Sequence, residues 1–139
     1  RAVTHRERIQ FIEHYLSKKI DTPSLVIIDG IADLVSDVNN IEETNAVVQK
    51  LMEWSAKYNC HIINVIHQNY GSAKMTGHLG SFLEKKCETH IELEANTVNK
   101  EWITVKCKRS RGYAFETFSF QVNERGLPIM VNNLYDPLK

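Results

Sequence analysis

The sequence is notable first for what it lacks. It has no Gly-x-x-x-x-Gly-Lys-Ser/Thr segment, so nothing within these 139 residues can cradle a nucleotide's phosphates in the usual way. A Gly-x-Ser-x-Gly segment is missing too, as is any convincing Cys–His pair, which removes the common signatures of nucleophilic catalysis. The three cysteines, Cys60, Cys87 and Cys107, are odd in number, far apart and without a Cys-x-x-Cys pair. That argues against a disulfide framework or a zinc site and fits a reducing cytoplasm. His61, His78 and His90 show no ligand spacing. Charge of one sign is not in excess: 17 Lys and Arg balance 17 Asp and Glu. No overall field therefore advertises nucleic acid or membrane, and any such contact must come from a local patch. No apolar run approaches the roughly 20 residues that cross a bilayer, no fixed-period repeat or low-complexity segment is present, and no signal peptide is expected.

What is there suffices for one domain over residues 1–139 with a single core, given 42% hydrophobic content. Thr4-His5-Arg6-Glu7 is a capping-box arrangement, and Ile9, Ile12, Leu16 and Ile20 recur at helical steps, so a helix is expected over 4–19. Asp21-Thr22-Pro23 breaks it. Leu25-Val26-Ile27-Ile28 is an unbroken apolar run and reads as a strand buried on both faces of a parallel sheet. An amphipathic helix over 41–58, capped by Asn40 and Glu43 and striped by Val47, Val48, Leu51 and Ser55, leads to a second such strand over 62–66. Strand, helix and strand make one βαβ unit. Residues 67–80 read as a long loop with three glycines, followed by a short helix over 81–86. Period-two alternation then predicts strands over 89–94, 102–108 and 115–122, an antiparallel extension exposed on one face. The fold class is α/β, a parallel βαβ core extended by antiparallel strands.

Ligands of parallel α/β sheets bind beyond the carboxyl ends of the strands. Two polar groups fall there: Asp29, and His67 with Gln68. A carboxylate ending a buried strand suits the holding of magnesium, directly or through water, although an Asp-Gly turn accounts for it equally well. The Gln68 amide, with His67 second, is placed to sense a γ-phosphate and pass the signal to the loop behind it, while ordinary loop contacts are the plainer reading. That loop carries Lys74 and His78, candidates for DNA contact. Lys106, Lys108, Arg109 and Arg111 form the only concentrated basic segment. It reads as a solvated hairpin tip, an arginine finger acting on a neighbouring subunit's nucleotide, or a phosphate contact to DNA. Asp29 with Asp33 makes a weak two-metal site, because further ligands are lacking.

Taken in order, these segments resemble the RecA-like ATPases, and among them the RepA-type hexameric helicases with their DnaB-like relatives. Leu25-Val26-Ile27-Ile28-Asp29 is similar to a Walker B strand. The stretch 46–67 resembles the helix and strand before the nucleotide-sensing residue, here Gln68 or His67. Gly77-His78-Leu79-Gly80-Ser81-Phe82-Leu83 resembles the segment after the DNA-facing loop, with Leu79 where these families usually carry Arg. Lys108-Arg109-Ser110-Arg111-Gly112 is similar to the Lys-x-Arg-x-Gly finger segment, with Ser110 at the place of the Arg. The resemblance implies the rear half of a RecA-like fold. It implies ATP and magnesium bound with the help of an upstream phosphate loop, Asp29 on the metal, Lys108 near the nucleotide, and a ring of identical subunits acting on DNA. The chain begins at Arg1, directly before a helix signal, so the missing front half is expected in a longer parent. The competing expectation is a non-catalytic RecA-fold domain for oligomerisation or DNA binding.

Overall fold

The computed structural model describes residues 3–18, 23–68 and 75–131. The chain divides into two compact units, Arg1–Lys86 and Cys87–Lys139. No helix among the described residues is long and apolar enough to cross a membrane.

The first unit begins with α1 (His5–Leu16). Its capping box forms as the sequence requires: the Glu7 backbone N–H donates to the Thr4 hydroxyl, and the Thr4 backbone N–H donates to Glu7 Oε2 at 2.8 Å. The helix ends earlier than expected, capped by Ser17, whose hydroxyl donates to the His14 carbonyl. Lys19 and Ile20 lie outside the described residues. Strand β1 (Leu25–Asp29) pairs in parallel with β2 (His61–Val65), Ile27 opposite Ile63 and Asp29 opposite Val65. A 3-10 turn (Ile31–Leu34) follows β1, and α2 (Ile41–Tyr58) makes the crossover, capped by Asn40, which accepts from the Glu43 N–H at 3.0 Å. Helix α3 (Gly77–Lys86) starts four residues before the expected helix. Leu79 and Leu83, one turn apart and both buried, fix its period, which the glycine-rich composition had hidden.

Leu16, Ile28, Ile31, Leu34, Val47, Val48, Leu51, Trp54, Leu79 and Leu83 belong to one buried cluster. The α2 stripe extends to Trp54, while Ser55 serves the chain reversal by donating to the Cys60 carbonyl at 2.7 Å. The expectation of strands buried on both faces is corrected. Val26, Ile28 and Ile62 meet the helices, but Leu25 and Ile27 on the opposite face are 50% and 62% exposed, with Ile63 and Val65 exposed beside them. Among the described residues only one layer covers this sheet.

The second unit is a four-stranded antiparallel sheet in the order β3 (Thr89–Ala95), β4 (Trp102–Ser110), β5 (Phe118–Val122) and β6 (Pro128–Val131). The expected strand start at residue 115 is corrected to Phe118; the Phe115 ring instead packs against that of Phe118 at 5.9 Å. The unexpected β6 is the return leg of a hairpin. Asn123 Oδ1 accepts the N–H groups of Arg125 and Leu127 there, and Gly126 takes φ +76. Pro128 opens this edge strand, where its missing N–H costs no ladder bond. Alternation gives the sheet an apolar face, with Ile91, Leu93, Ile103, Val105, Phe118 and Phe120. The polar face carries Glu92, Glu94, Thr104, Lys106 and Ser119.

Candidate functional site at the carboxyl edge of the parallel sheet

Because β1 and β2 run parallel, their carboxyl ends share one edge, with Asp29 ending one strand and His67 and Gln68 following the end of the other. Asp29 is the last residue of β1, opposite Val65, so His67 and Gln68 follow two and three residues beyond its partner. By strand alternation its side chain shares the exposed face with Leu25 and Ile27, away from the helices. The Asp29–Gly30 peptide is cis. The chain then turns into the 3-10 helix, where the Asp33 N–H donates to the Gly30 carbonyl at 3.1 Å.

Asp29 and Gly30 border an open cleft of about 650 Å³ between β1 and α1, whose lining includes Glu7, Arg8, Phe11 and Ile27. Its charged groups are largely engaged. Arg8 grips Asp33 through an ion pair, and Glu7 accepts both the backbone N–H and the hydroxyl of Thr4. Those bonds from Thr4 hold the Glu7 carboxyl below the usual carboxylate range. Asp33 is therefore committed to α1, and among the described residues no three His, Cys, Asp or Glu side chains gather as a metal-ligand group. What this edge can offer magnesium is one exposed carboxylate, that of Asp29, with the remaining positions left to water and phosphate oxygens. The sequence has no Gly-x-x-x-x-Gly-Lys-Ser/Thr segment, so this donor set would fit one side of a nucleotide site and not the whole of it.

At the end of β2, Gln68 forms an isolated antiparallel bridge with Met75, and the His67 carbonyl accepts from both the backbone N–H and the hydroxyl of Thr76, at 3.3 and 2.8 Å. Lys74 lies outside the described residues, as do residues 69–73 of the loop expected to contact DNA. His78 is exposed in the first turn of α3 and not in a loop.

The basic segment belongs to the second unit. Register shifts between His90 and Ile91, so β4 gains one residue and Arg109 pairs opposite His90. Lys108 Nζ forms an ion pair with Glu92 Oε2 at 2.9 Å; the Glu92 side chain is 5% exposed. This partner holds the Lys108 ammonium above its ordinary pKa. Lys106 pairs with Glu94 in the same diagonal sense. Arg111 donates from Nε to the Cys87 carbonyl at 3.2 Å and from its backbone N–H to the Glu88 carbonyl at 2.9 Å. Lys108 and Arg111 thus have partners within the second unit. Arg109 is exposed on the strand.

Glu92 and Thr76 are the participants that sequence reasoning overlooked. The alternation of Glu92 and Glu94 opposite Lys106 and Lys108 was visible as a cross-strand charge pattern. Thr76 carried no local signal, because its role depends on a chain reversal. Comparison with protein-family models and with curated proteins yields no match for this chain.

Proposed function

We propose that this chain is the rear part of a RecA-like, RepA-type ATPase that works on DNA in the cytoplasm as a ring of identical subunits. The observation that carries this reading is the position of Asp29, and of His67 and Gln68, at the carboxyl ends of two parallel neighbouring strands, where ligands of such sheets bind. Asp29 would hold magnesium through water, and Gln68, with His67 beside it, would hydrogen-bond the terminal phosphate. The exposure of Leu25 and Ile27 among the described residues supports it further, since parallel sheets are normally covered on both faces. ATP and magnesium would need a phosphate loop outside these 139 residues.

The test is magnesium-dependent ATP hydrolysis by the full-length gene product, with and without DNA. Asp29→Asn is expected to abolish turnover without lowering the thermal midpoint. A full-length sequence with no phosphate loop, or an Asp29→Asn protein of unchanged rate, would reject the reading.

The engagement of Lys108 by Glu92 and of Arg111 by the Cys87 carbonyl favours a second reading, in which the same fold serves oligomerisation or DNA binding without catalysis. Arg109 separates the two. Loss of hydrolysis in Arg109→Ala, restored by mixing with Asp29→Asn subunits, is expected of a finger acting in trans; a full-length protein that assembles or binds DNA but never hydrolyses ATP supports the scaffold.

A further inference from the structure

The return leg of the chain after Gln68 ties the two strand ends together, and we propose that Thr76 and Gly77 are positioning residues that hold Gln68 in register with the Asp29 end of the sheet. The inference rests on the ATPase reading for its consequence and on backbone geometry for its substance.

The β1–β2 ladder ends at Asp29 opposite Val65, and beyond it Thr76 bonds the chain at His67. A carbonyl oxygen has two lone pairs, and at His67 the Thr76 N–H and hydroxyl both donate to that oxygen. The His67 carbonyl shares its peptide plane with the Gln68 N–H, so fixing one fixes the other. Gln68 then bridges Met75, and Met75 lies so near Gly80 that a Cβ there would come within 2.4 Å of the Met75 Cβ.

The other end of the tie is at Val38, between the 3-10 turn that follows Asp29 and α2. The Leu79 N–H donates to the Val38 carbonyl at 3.1 Å. Gly77 takes φ +64, and a Cβ on it would fall 2.6 Å from that same oxygen. Ile31 and Leu34 of the turn belong to the same buried cluster as Leu79. Backbone bonds and close approaches thus join Val38 to Gly77 and Leu79, and Thr76 and Met75 to His67 and Gln68. The two glycines of Gly77-His78-Leu79-Gly80 are explained by what they admit, Val38 on one side and Met75 on the other.

The test uses the full-length gene product with Thr76→Val, which keeps the shape and loses the hydroxyl, Thr76→Ser, which keeps the hydroxyl, and Gly77→Ala. Thr76→Val is expected to lower kcat for ATP hydrolysis on the order of tenfold with KM for ATP nearly unchanged, while Thr76→Ser retains the rate. Gly77→Ala should lose more, and if it fails to fold the threonine pair still decides. An unaltered kcat in Thr76→Val, or equal losses in both threonine variants, overturns the proposal. If the wild-type protein hydrolyses no ATP, the ATPase reading fails by itself, and hydrogen exchange over 65–68 decides the clasp. Faster exchange in Thr76→Val than in Thr76→Ser supports it, and equal exchange overturns it.

Discussion

Arg1–Lys86 encloses an apolar cluster from α1, the 3-10 turn, α2, α3 and one face of β1–β2, with Ile31, Trp54 and Leu79 almost wholly removed from water, whereas in Cys87–Lys139 Val105 is the only buried hydrophobic residue among those described. The other buried residues of the second unit are Glu92, Thr104 and Ser119, held by the Lys108 ion pair and a hydroxyl–hydroxyl contact of 3.3 Å. One unit depends on burial and close packing, the other on ladder hydrogen bonds and paired charge. The first should resist salt and be sensitive to cavities, and the second should behave in the opposite way. Each unit also carries one of the two tryptophans, Trp54 in the first and Trp102 in the second, so variants keeping only one report on each separately.

Substitutions in the two units sharpen or break this comparison. Leu16→Ala should destabilise the first unit most, by about 2–5 kcal/mol, seen as a lower denaturant midpoint of Trp54 fluorescence. Should the Trp102 transition move equally, the units unfold as one and the comparison collapses. In the second unit Val105→Ala should cost about 1–2 kcal/mol, less than the core change because only a short side chain loses burial. Lys108→Met takes the cation away from the buried Glu92 carboxylate. Because the lysine is itself well solvated, the Trp102 midpoint should fall by less than in Val105→Ala. Molar salt should shrink that difference from wild type, and a salt-independent loss would assign it to packing instead.

The smallest effects are those of pH. The Glu43 carboxyl is held below the usual carboxylate range chiefly by the Ser36 hydroxyl, with the N–H groups of Asp37 and Ser36 adding to it; Glu13 is held down chiefly by its hydrogen bond from Lys50. A folded-state pKa lowered in this way contributes stability that is present above the unfolded value and lost as pH falls through the folded one. The Trp54 transition should therefore weaken in acid below the usual carboxylate range, and less so in Glu43→Gln. Lys108 has the opposite sign. Its pKa is raised by Glu92, so its contribution is complete below the ordinary lysine value and is lost as pH rises through the folded one. The Trp102 transition should weaken in strong alkali, and an identical pH profile for both tryptophans would contradict the assignment of forces.

Much of the first unit was legible because its signals are local. The capping box at Thr4 and Glu7, the Asn40 cap and the apolar runs at 25–28 and 62–66 each act within a few residues, and the elements lie close to where they indicate. The site was legible in the same limited sense: Asp29 and Gln68 attract notice only as polar residues ending apolar runs. That their strands are parallel neighbours required pairing across the whole length of α2.

The sequence by itself determined the order and type of most elements, the alternation that sorts the second sheet into apolar and polar faces, and the absence of a phosphate cradle from these residues, because periodicity, capping and motif spacing are properties of neighbouring residues. Only the tertiary structure decided that Leu25 and Ile27 on one face of the parallel pair are exposed, that Glu92 takes up Lys108, and that Thr76 bonds the His67 carbonyl while Gly77 sits against that of Val38. Each of these depends on which distant side chains and carbonyls come within hydrogen-bonding or van der Waals reach, and chain reversal and packing create that proximity.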